Sequence, residues 1–470
     1  MKVTDEQITS IVDKVVKSIT TKSITSAPTT NLENSGLGSF NDVNSAASAA
    51  KQAFLNFQST SLETRRKIIS AIRKICLDHL EDLSRIAIEE TGLGRYDDKL
   101  AKNKLAIMKT PGVEDIESEA VTGDNGLTLM ERSPFGVIGS ITPCTNPSET
   151  IISNGIGMIA AGNSVIFNPH PSAKKVSIFT TDLLNKAVLS EGGPANLFTT
   201  VANPTIESAQ QIMNHPLVNL LVVTGGPAVV SAAMKSGKRV IAAGPGNPPV
   251  VVDDTADLDK AGKDIVMSAS TDNNIICVVE KEIIVTPKSV NGLKESLKKH
   301  GAVELSQHQT KRLEKVIFDE HNHVRKQYVG KNIQVILKEI GLDVDDSKRL
   351  AFSETSANHP FATTELLMPV IPLIKATDID NAIEIAYKLE KGCFHTAVIH
   401  SKNIDNMHKM ARRMNTSIFV KNGPALAGLG LFGEGPATFT IASPTGEGCT
   451  TPKSFTRLRR CVLKDYFGNI

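Results

Sequence analysis

The period of the apolar positions changes several times along this chain, and each change marks an element. Ile8, Ile11, Val12, Val15, Val16 and Ile19 recur at helical spacing, with Asp5 and Glu6 ahead of them and Lys14 and Lys17 further on. The pattern predicts a short amphipathic helix over residues 1–19 whose charges suit its dipole. Residues 20–36 are Ser/Thr-rich and aperiodic, which reads as a flexible linker. A helix on a tether suits a docking tag, and a first helix folded back on the body fits the pattern equally well. From about residue 40 to 115 the pattern is helical, as in Leu62 to Cys76, and it ends near Pro111-Gly112. Asp124-Asn125-Gly126 then predicts a hairpin turn before the alternating Leu127-Thr128-Leu129-Met130-Glu131, hence a two-stranded arm near residues 120–133.

Beyond the arm, apolar runs of strand length at 137–143, 164–169 and 220–227 each lead through Pro or Gly into a helical stretch. Such alternation predicts a parallel, doubly wound sheet. A second series, at 249–253, 281–286, 365–372, 396–400 and 417–420, predicts a second α/β domain.

A chain of 470 residues at 40% hydrophobic composition is long enough to bury more than one core. Its formal charge of +2 makes no electrostatic case for nucleic acid or an anionic membrane, and no apolar run reaches the ~18 residues of a membrane span. The six cysteines show no CxxC spacing and no signal-peptide pattern precedes them, so the expectation is a reduced, cytosolic-type compartment. Two glycine motifs mislead. Gly428-Leu-Gly430-Leu-Phe-Gly433 lies in a Gly/Pro-rich loop with no helix pattern after it, and Gly155-Ile-Gly157 lies inside a helical run. Neither has the strand, turn and helix N-terminus that a dinucleotide fingerprint needs. His321 and His323 fall in a charged, helical-looking stretch without other ligands at metal spacing, so no metal is expected.

The residue with most chemistry to offer is Cys277, in Thr271-Asp-Asn-Asn-Ile-Ile-Cys277-Val-Val-Glu280. A thiolate attacks a carbonyl carbon at neutral pH when its pKa is lowered and a donor waits for the oxyanion. Its apolar neighbours also suit an inert core cysteine.

Taken with Thr142-Pro-Cys-Thr-Asn146-Pro147, Asn358-His-Pro-Phe361 with Glu365, and Ser443-Pro-Thr-Gly-Glu-Gly448, that segment resembles the aldehyde dehydrogenase superfamily, from about residue 37 to the C-terminus. Within it the chain is similar to the CoA-acylating enzymes of bacterial microcompartments. The resemblance implies an α/β fold of two domains with Rossmann-like parallel sheets and a β-hairpin oligomerisation arm. Residues 37–243 with 427–470 would bind NAD, and 244–426 would carry the thiol. It makes Cys277 the nucleophile and Asn146 the amide that, with the Cys277 N–H, holds the oxyanion. It assigns Glu365 to the nicotinamide ribose hydroxyls, and Ile141, Thr142, Pro143, Asn168, Pro171, Thr224, Gly225 and Gly226 to the dinucleotide groove. Many superfamily members have Lys in place of Asn168, which leaves the choice between NAD and NADP open.

One departure sets the second half-reaction. Hydrolytic members carry Glu-Leu-Gly-Gly, whose Glu activates water; here the stretch is Ala242-Ala-Gly-Pro-Gly-Asn-Pro-Pro249. Without that base, a thiol is the better acyl acceptor than water. Coenzyme A is therefore expected as co-substrate, with propionaldehyde as the aldehyde and acetaldehyde as the alternative. The resemblance also implies a homodimer or homotetramer, and residence in a microcompartment lumen with shell protein as the partner of residues 1–19. A hydrolytic dehydrogenase, a cysteine acyltransferase and a non-catalytic scaffold are the rival readings.

Overall fold

Continuous apolar runs, buried on both faces, build two parallel sheets. The structure, a computed structural model, describes residues 36–468, so the helix expected over 1–19 and the linker as far as residue 35 lie outside the described residues. After the short strand β1 (Ser39–Phe40) come the helices Val43–Phe57, Leu62–Asp78, Leu80–Thr91 and Tyr96–Lys109, in the span that reads as helical. Asp42 and Ser61 stand in extended backbone, and their side chains accept from the N–H groups of Ser45 and Thr64, covering donors that a first helical turn leaves open.

The arm strands β2 (Glu119–Gly123) and β3 (Gly126–Pro134) follow, then β4 (Val137–Thr142), β5 (Ser164–Pro169), β6 (Phe198–Val201), β7 (Val218–Thr224) and β8 (Arg239–Ala243). The first sheet runs β1-β6-β5-β4-β7-β8 with every pairing parallel. β4 and β5 are buried throughout, as strands covered by helices on both faces must be. The chain steps outward from β4 to β5 and β6, then returns to lay β7 on the other side of β4. That reversal opens a crevice at the strands' carboxyl ends, where doubly wound sheets take their ligands.

The second sheet comprises β9 (Pro249–Val252), β10 (Glu282–Val285), β11 (Ala302–Leu305), β12 (Leu350–Glu354), β13 (Val370–Lys375), β14 (Thr396–His400) and β15 (Ile418–Lys421). It too is parallel, in the order β11-β12-β13-β10-β9-β14-β15. Two local expectations are corrected. The strand expected from residue 365 starts at Val370, because Leu367 takes a left-handed conformation (φ 52°) and its carbonyl accepts from Gly330 N–H instead of a ladder partner. His321 and His323 lie in a turn and not in a helix. Asp319 Oδ1 accepts from both of their N–H groups at 2.9 and 2.8 Å, with Asn322 at φ 59°, so a side-chain carboxylate replaces the helical acceptors.

The short antiparallel pair β16 (Ile441–Ala442) and β17 (Gly448–Cys449) precedes β18 (Thr456–Lys464). β18 pairs antiparallel with β3 along its whole length, so the arm has three strands, β18-β3-β2, where two were expected. Gly126 shows why the turn sequence matters twice. It has φ 115°, and a Cβ there would come within 2.2 Å of the Leu463 carbonyl on the third strand.

Candidate active site

The carboxyl ends of β4, β5, β7 and β8 frame a cleft of about 720 Å³. Every residue to which the resemblance gives a site role lines it. Ile141, Thr142 and Pro143 come from the end of β4, Asn168 and Pro171 from the end of β5, and Thr224, Gly225 and Gly226 from the end of β7. Asn146, Cys277 and Glu365 complete the set. The misleading glycine motifs stay outside: Gly155 and Gly157 lie within the helix Pro147–Ala160, and Gly428 to Gly433 follow a short 3₁₀ turn, Ala425–Leu429.

The approach to Cys277 explains its motif. Asp272, Asn273 and Asn274 are all left-handed, at φ 50°, 54° and 65°, a conformation costing most L-residues about 1–2 kcal/mol each and tolerated best by Asp and Asn. Side-chain bonds hold the strained turn. Asn273 Nδ2 donates to Gly330 O (2.9 Å) and Asn332 Oδ1 (2.8 Å), and Asn274 Nδ2 donates to Ala269 O (2.7 Å) and Glu280 O (3.0 Å). Ile275, Ile276, Val278 and Val279 are buried while Cys277 is partly open to the cleft. The apolar neighbours that suit a core cysteine therefore anchor a presented one.

Sequence reasoning missed a buried ionic group beneath the cleft. Lys99 and Lys102, on the helix Tyr96–Lys109, are fully buried. Lys99 Nζ meets Asp272 Oδ2 at 2.8 Å; Lys102 Nζ meets Asp272 Oδ2 at 2.5 Å, Glu149 Oε1 at 3.2 Å and Asn146 Oδ1 at 2.7 Å. Burial works against the Asp272 charge, but Lys102 and Lys99 outweigh it and hold the carboxyl below its usual range. The available signal was helical spacing. Lys99, Lys102, Asn103 and Ala106 share one stripe, and that stripe is the buried one.

Two further residues escaped notice. Lys281 Nζ, itself buried, donates to Asn274 O (2.6 Å) and Asn274 Oδ1 (2.7 Å) and stands 4.0 Å from Glu365 Oε1. His395 is buried with Nδ1 2.8 Å from Thr396 Oγ1 and Nε2 without a protein partner. Burial, and then Lys281, push its pKa down to about 4, so the ring is neutral. Gly246 packs between this ring and the chain at Cys277: a Cβ there would lie 2.8 Å from Cys277 O and 3.0 Å from His395 Cγ. Of the Gly244-Pro245-Gly246 stretch, Gly244 and Pro245 face the cleft and Gly246 serves packing.

The electrostatics at the thiol are opposed. Burial foremost, and Glu365 second, push the Cys277 pKa up to about 12, while Lys281 and Lys102 pull it down. Glu365 is itself raised by burial against the pull of Lys281. Among the described residues Glu365 is the one carboxylate in the cleft wall. Where a hydrolytic base would stand, Ala243 and Gly244 line it.

The cleft suits a dinucleotide. Gly225 and Gly226 precede the helix Pro227–Met234, whose first turn has no side-chain cap, so the Ala228 and Val229 N–H groups are left for a pyrophosphate. Ile206, Ala209, Met213, Val229 and Ala232 offer an apolar wall for a planar base. Asn168 is less free than expected, because its Oδ1 accepts from Ser208 Oγ at 2.6 Å.

The pattern that defines the aldehyde dehydrogenase family matches residues 16–432. The chain belongs to the aldehyde dehydrogenase family. It is 50% identical to the acetylating acetaldehyde dehydrogenase of Salmonella typhimurium over 463 residues, covering 97% of this chain and 98% of that one. Its fold matches that of the Rhodopseudomonas palustris propionaldehyde dehydrogenase, solved with bound CoA and an acylated cysteine, at a TM-score of 0.90 and 47% identity over 91% of this chain and 98% of that one. It also matches the propionaldehyde dehydrogenase of the Clostridium phytofermentans fucose-utilisation microcompartment at 0.91, with 47% identity over 92% and 100% of the two chains. The family resemblance read from the motifs and the aldehyde dehydrogenase-like fold expected from it are thus borne out.

Proposed function

We propose that this chain is an NAD-dependent, CoA-acylating aldehyde dehydrogenase that oxidises propionaldehyde to propionyl-CoA. The observation that carries the reading is a thiol and an amide donor sharing one cleft whose Ala243-Gly244-Pro245 wall holds no carboxylate. Cys277 thiolate adds to the aldehyde carbon, and the new oxyanion rests on Asn146 Nδ2 and the Cys277 N–H. When bound, NAD supplies the acceptor for the hydride that leaves this carbon. Glu365 offers a carboxylate to its ribose hydroxyls, and the residues at the ends of β4, β5 and β7 form its groove. The carbonyl re-forms as a Cys277 thioester. The CoA thiolate then adds, and Cys277 thiolate leaves. One thioester replaces another, so the exchange is close to neutral and the reaction reversible and ping-pong.

Identity to the acetylating relative at 50%, against 47% to the propionaldehyde enzymes, favours acetaldehyde as a second substrate reading. The two-sheet layout supports a division of labour in which residues 37–243 with 427–470 bind the dinucleotide and 244–426 carry the thiol. The microcompartment origin of the C. phytofermentans relative supports residence in a microcompartment lumen, with residues 1–19 addressing shell protein, and the arm supports a homodimer or homotetramer.

Replacing Cys277 by Ala is the direct test. NADH formation is expected to vanish with the unfolding midpoint unchanged, and the unsubstituted enzyme given NAD and propionaldehyde without CoA should carry a propanoyl adduct on the Cys277 peptide by mass spectrometry. Activity surviving in Cys277→Ala would sink the nucleophile assignment.

A further inference from the structure

Asn146 stands at the N-cap of the helix Pro147–Ala160, at φ −137° and ψ 62°, yet its side chain makes no cap bond. An N-cap Asn ordinarily accepts from an N–H two or three residues on, which is worth about 1 kcal/mol. Here Oδ1 is instead taken by the Lys102 ammonium at 2.7 Å. An ammonium has donors and no acceptor, so the amide oxygen must face it. Nδ2 is left on the other side with one long contact, to Thr145 Oγ1 at 3.3 Å, in a residue that lines the cleft.

The peptide ahead of Asn146 is pinned as well. Thr145 O accepts from Lys99 Nζ at 2.9 Å and from Lys102 Nζ at 3.3 Å. Taking an ammonium out of water costs several kcal/mol, and packing alone would be met by an apolar side chain of the same length. The Lys102 charge is sustained by Asp272 and Glu149, which more than offset its burial and raise its pKa above the ordinary lysine value.

We propose that Lys102 is a positioning residue for the acyl chemistry at Cys277, fixing the Asn146 amide with Oδ1 inward and Nδ2 toward the cleft, and polarising it as a donor to the oxyanion. This rests on the oxyanion role proposed above for Asn146. A cation bound at the amide oxygen draws electron density from the nitrogen, so the N–H bonds become stronger donors, as in other chains of linked hydrogen bonds. The effect grows with the negative charge that develops on the substrate oxygen and so belongs to the transition state.

A double-mutant cycle tests it, using kcat/KM for propionaldehyde at saturating NAD and CoA. Asn146→Ala is expected to lose about 100- to 1,000-fold, the range for one oxyanion donor, and Lys102→Met about tenfold or more. Lys102 also pulls the Cys277 pKa down, so Lys102→Met/Asn146→Ala should be slower than Asn146→Ala alone by no more than the fall in Cys277 alkylation rate that Lys102→Met causes, because Lys102 then has nothing to position. KM for NAD should stay within about twofold throughout, and Lys102→Arg, which can also donate to Oδ1, should recover part of the loss. Asp272 keeps Lys99 Nζ and the Arg95 N–H (2.9 Å) in these variants, but Glu149 loses its cation. If Lys102→Met does not fold, the cycle is run with Glu149→Gln added to every arm. A loss in the double variant beyond that fall, up to full multiplication of the two single losses, would mean Lys102 acts apart from Asn146 and would overturn the proposal. Full activity in Asn146→Ala would remove the oxyanion reading itself, a separate and distinguishable failure.

Discussion

At Cys277 burial and chemistry pull in opposite directions. The apolar setting that presents the thiol also keeps its proton, with the pKa pushed up to about 12 against the pull of Lys281 and Lys102. In the enzyme without cofactor the thiolate fraction should therefore rise about tenfold per pH unit across the whole range from pH 7 to 9. The check is the alkylation rate of the Cys277 peptide by iodoacetamide. A plateau near pH 8 would contradict the electrostatics described. Much of this site was legible beforehand: each residue given a site role by the resemblance lines the cleft. What stayed hidden were Lys99, Lys102, Lys281 and His395, because charged residues are usually solvated and burial of a lysine is read only from the structure that pairs it. The Asp272-Asn273-Asn274 run stands out in the sequence as a motif, and its cause, left-handed backbone conformation, shows only in the structure.

Among the elements, strands made of an apolar run were readable, down to the four residues of β9 and β10, and those interrupted by polar residues were not. β4, β5 and β14 are continuous apolar runs buried on both faces, and these stood out. β6, β11 and β8 are four or five residues long with Thr, Glu or Arg among them, so no apolar run marks them. β18 carries Arg457, Arg459 and Arg460 and is exposed along nearly its whole length. Its order comes from the ladder to β3, which no local pattern announces. Register places Val462 beside Thr128 and Thr128 beside Val121, so Val121, Met130, Leu458 and Val462 share one face of the arm. Val121, Leu458 and Val462 are 62%, 57% and 61% exposed in the single chain, apolar positions interleaved with Glu119, Arg132 and Arg460 on that face, a mixed surface suited to a second copy. Leu458→Glu with Val462→Glu is expected to convert the proposed homodimer or homotetramer to monomer by size-exclusion chromatography with light scattering. An unchanged mass would move the subunit contact elsewhere.

For the whole molecule, the proposed division of labour gives the two parallel sheets different halves of one reaction. The first sheet's reversal at β4 makes the dinucleotide cleft, and the second sequence block brings Cys277 and Glu365 into it. Residues 1–19 are proposed to address shell protein and not to serve that chemistry, so deleting them should leave kcat and KM unchanged while ending co-purification with shell protein. Co-purification that persists would count against the tag. The central claim is that Cys277 hands its acyl group to a thiol because the wall at Ala243 and Gly244 supplies water with no base. The measurement that bears on it most directly is NADH formation from NAD and propionaldehyde with and without CoA. Sustained turnover with CoA, and no more than a single burst of about one NADH per subunit without it, is the expected result. Equal turnover in both would mean that water reaches the acyl-enzyme with a base of its own, and the account would fail.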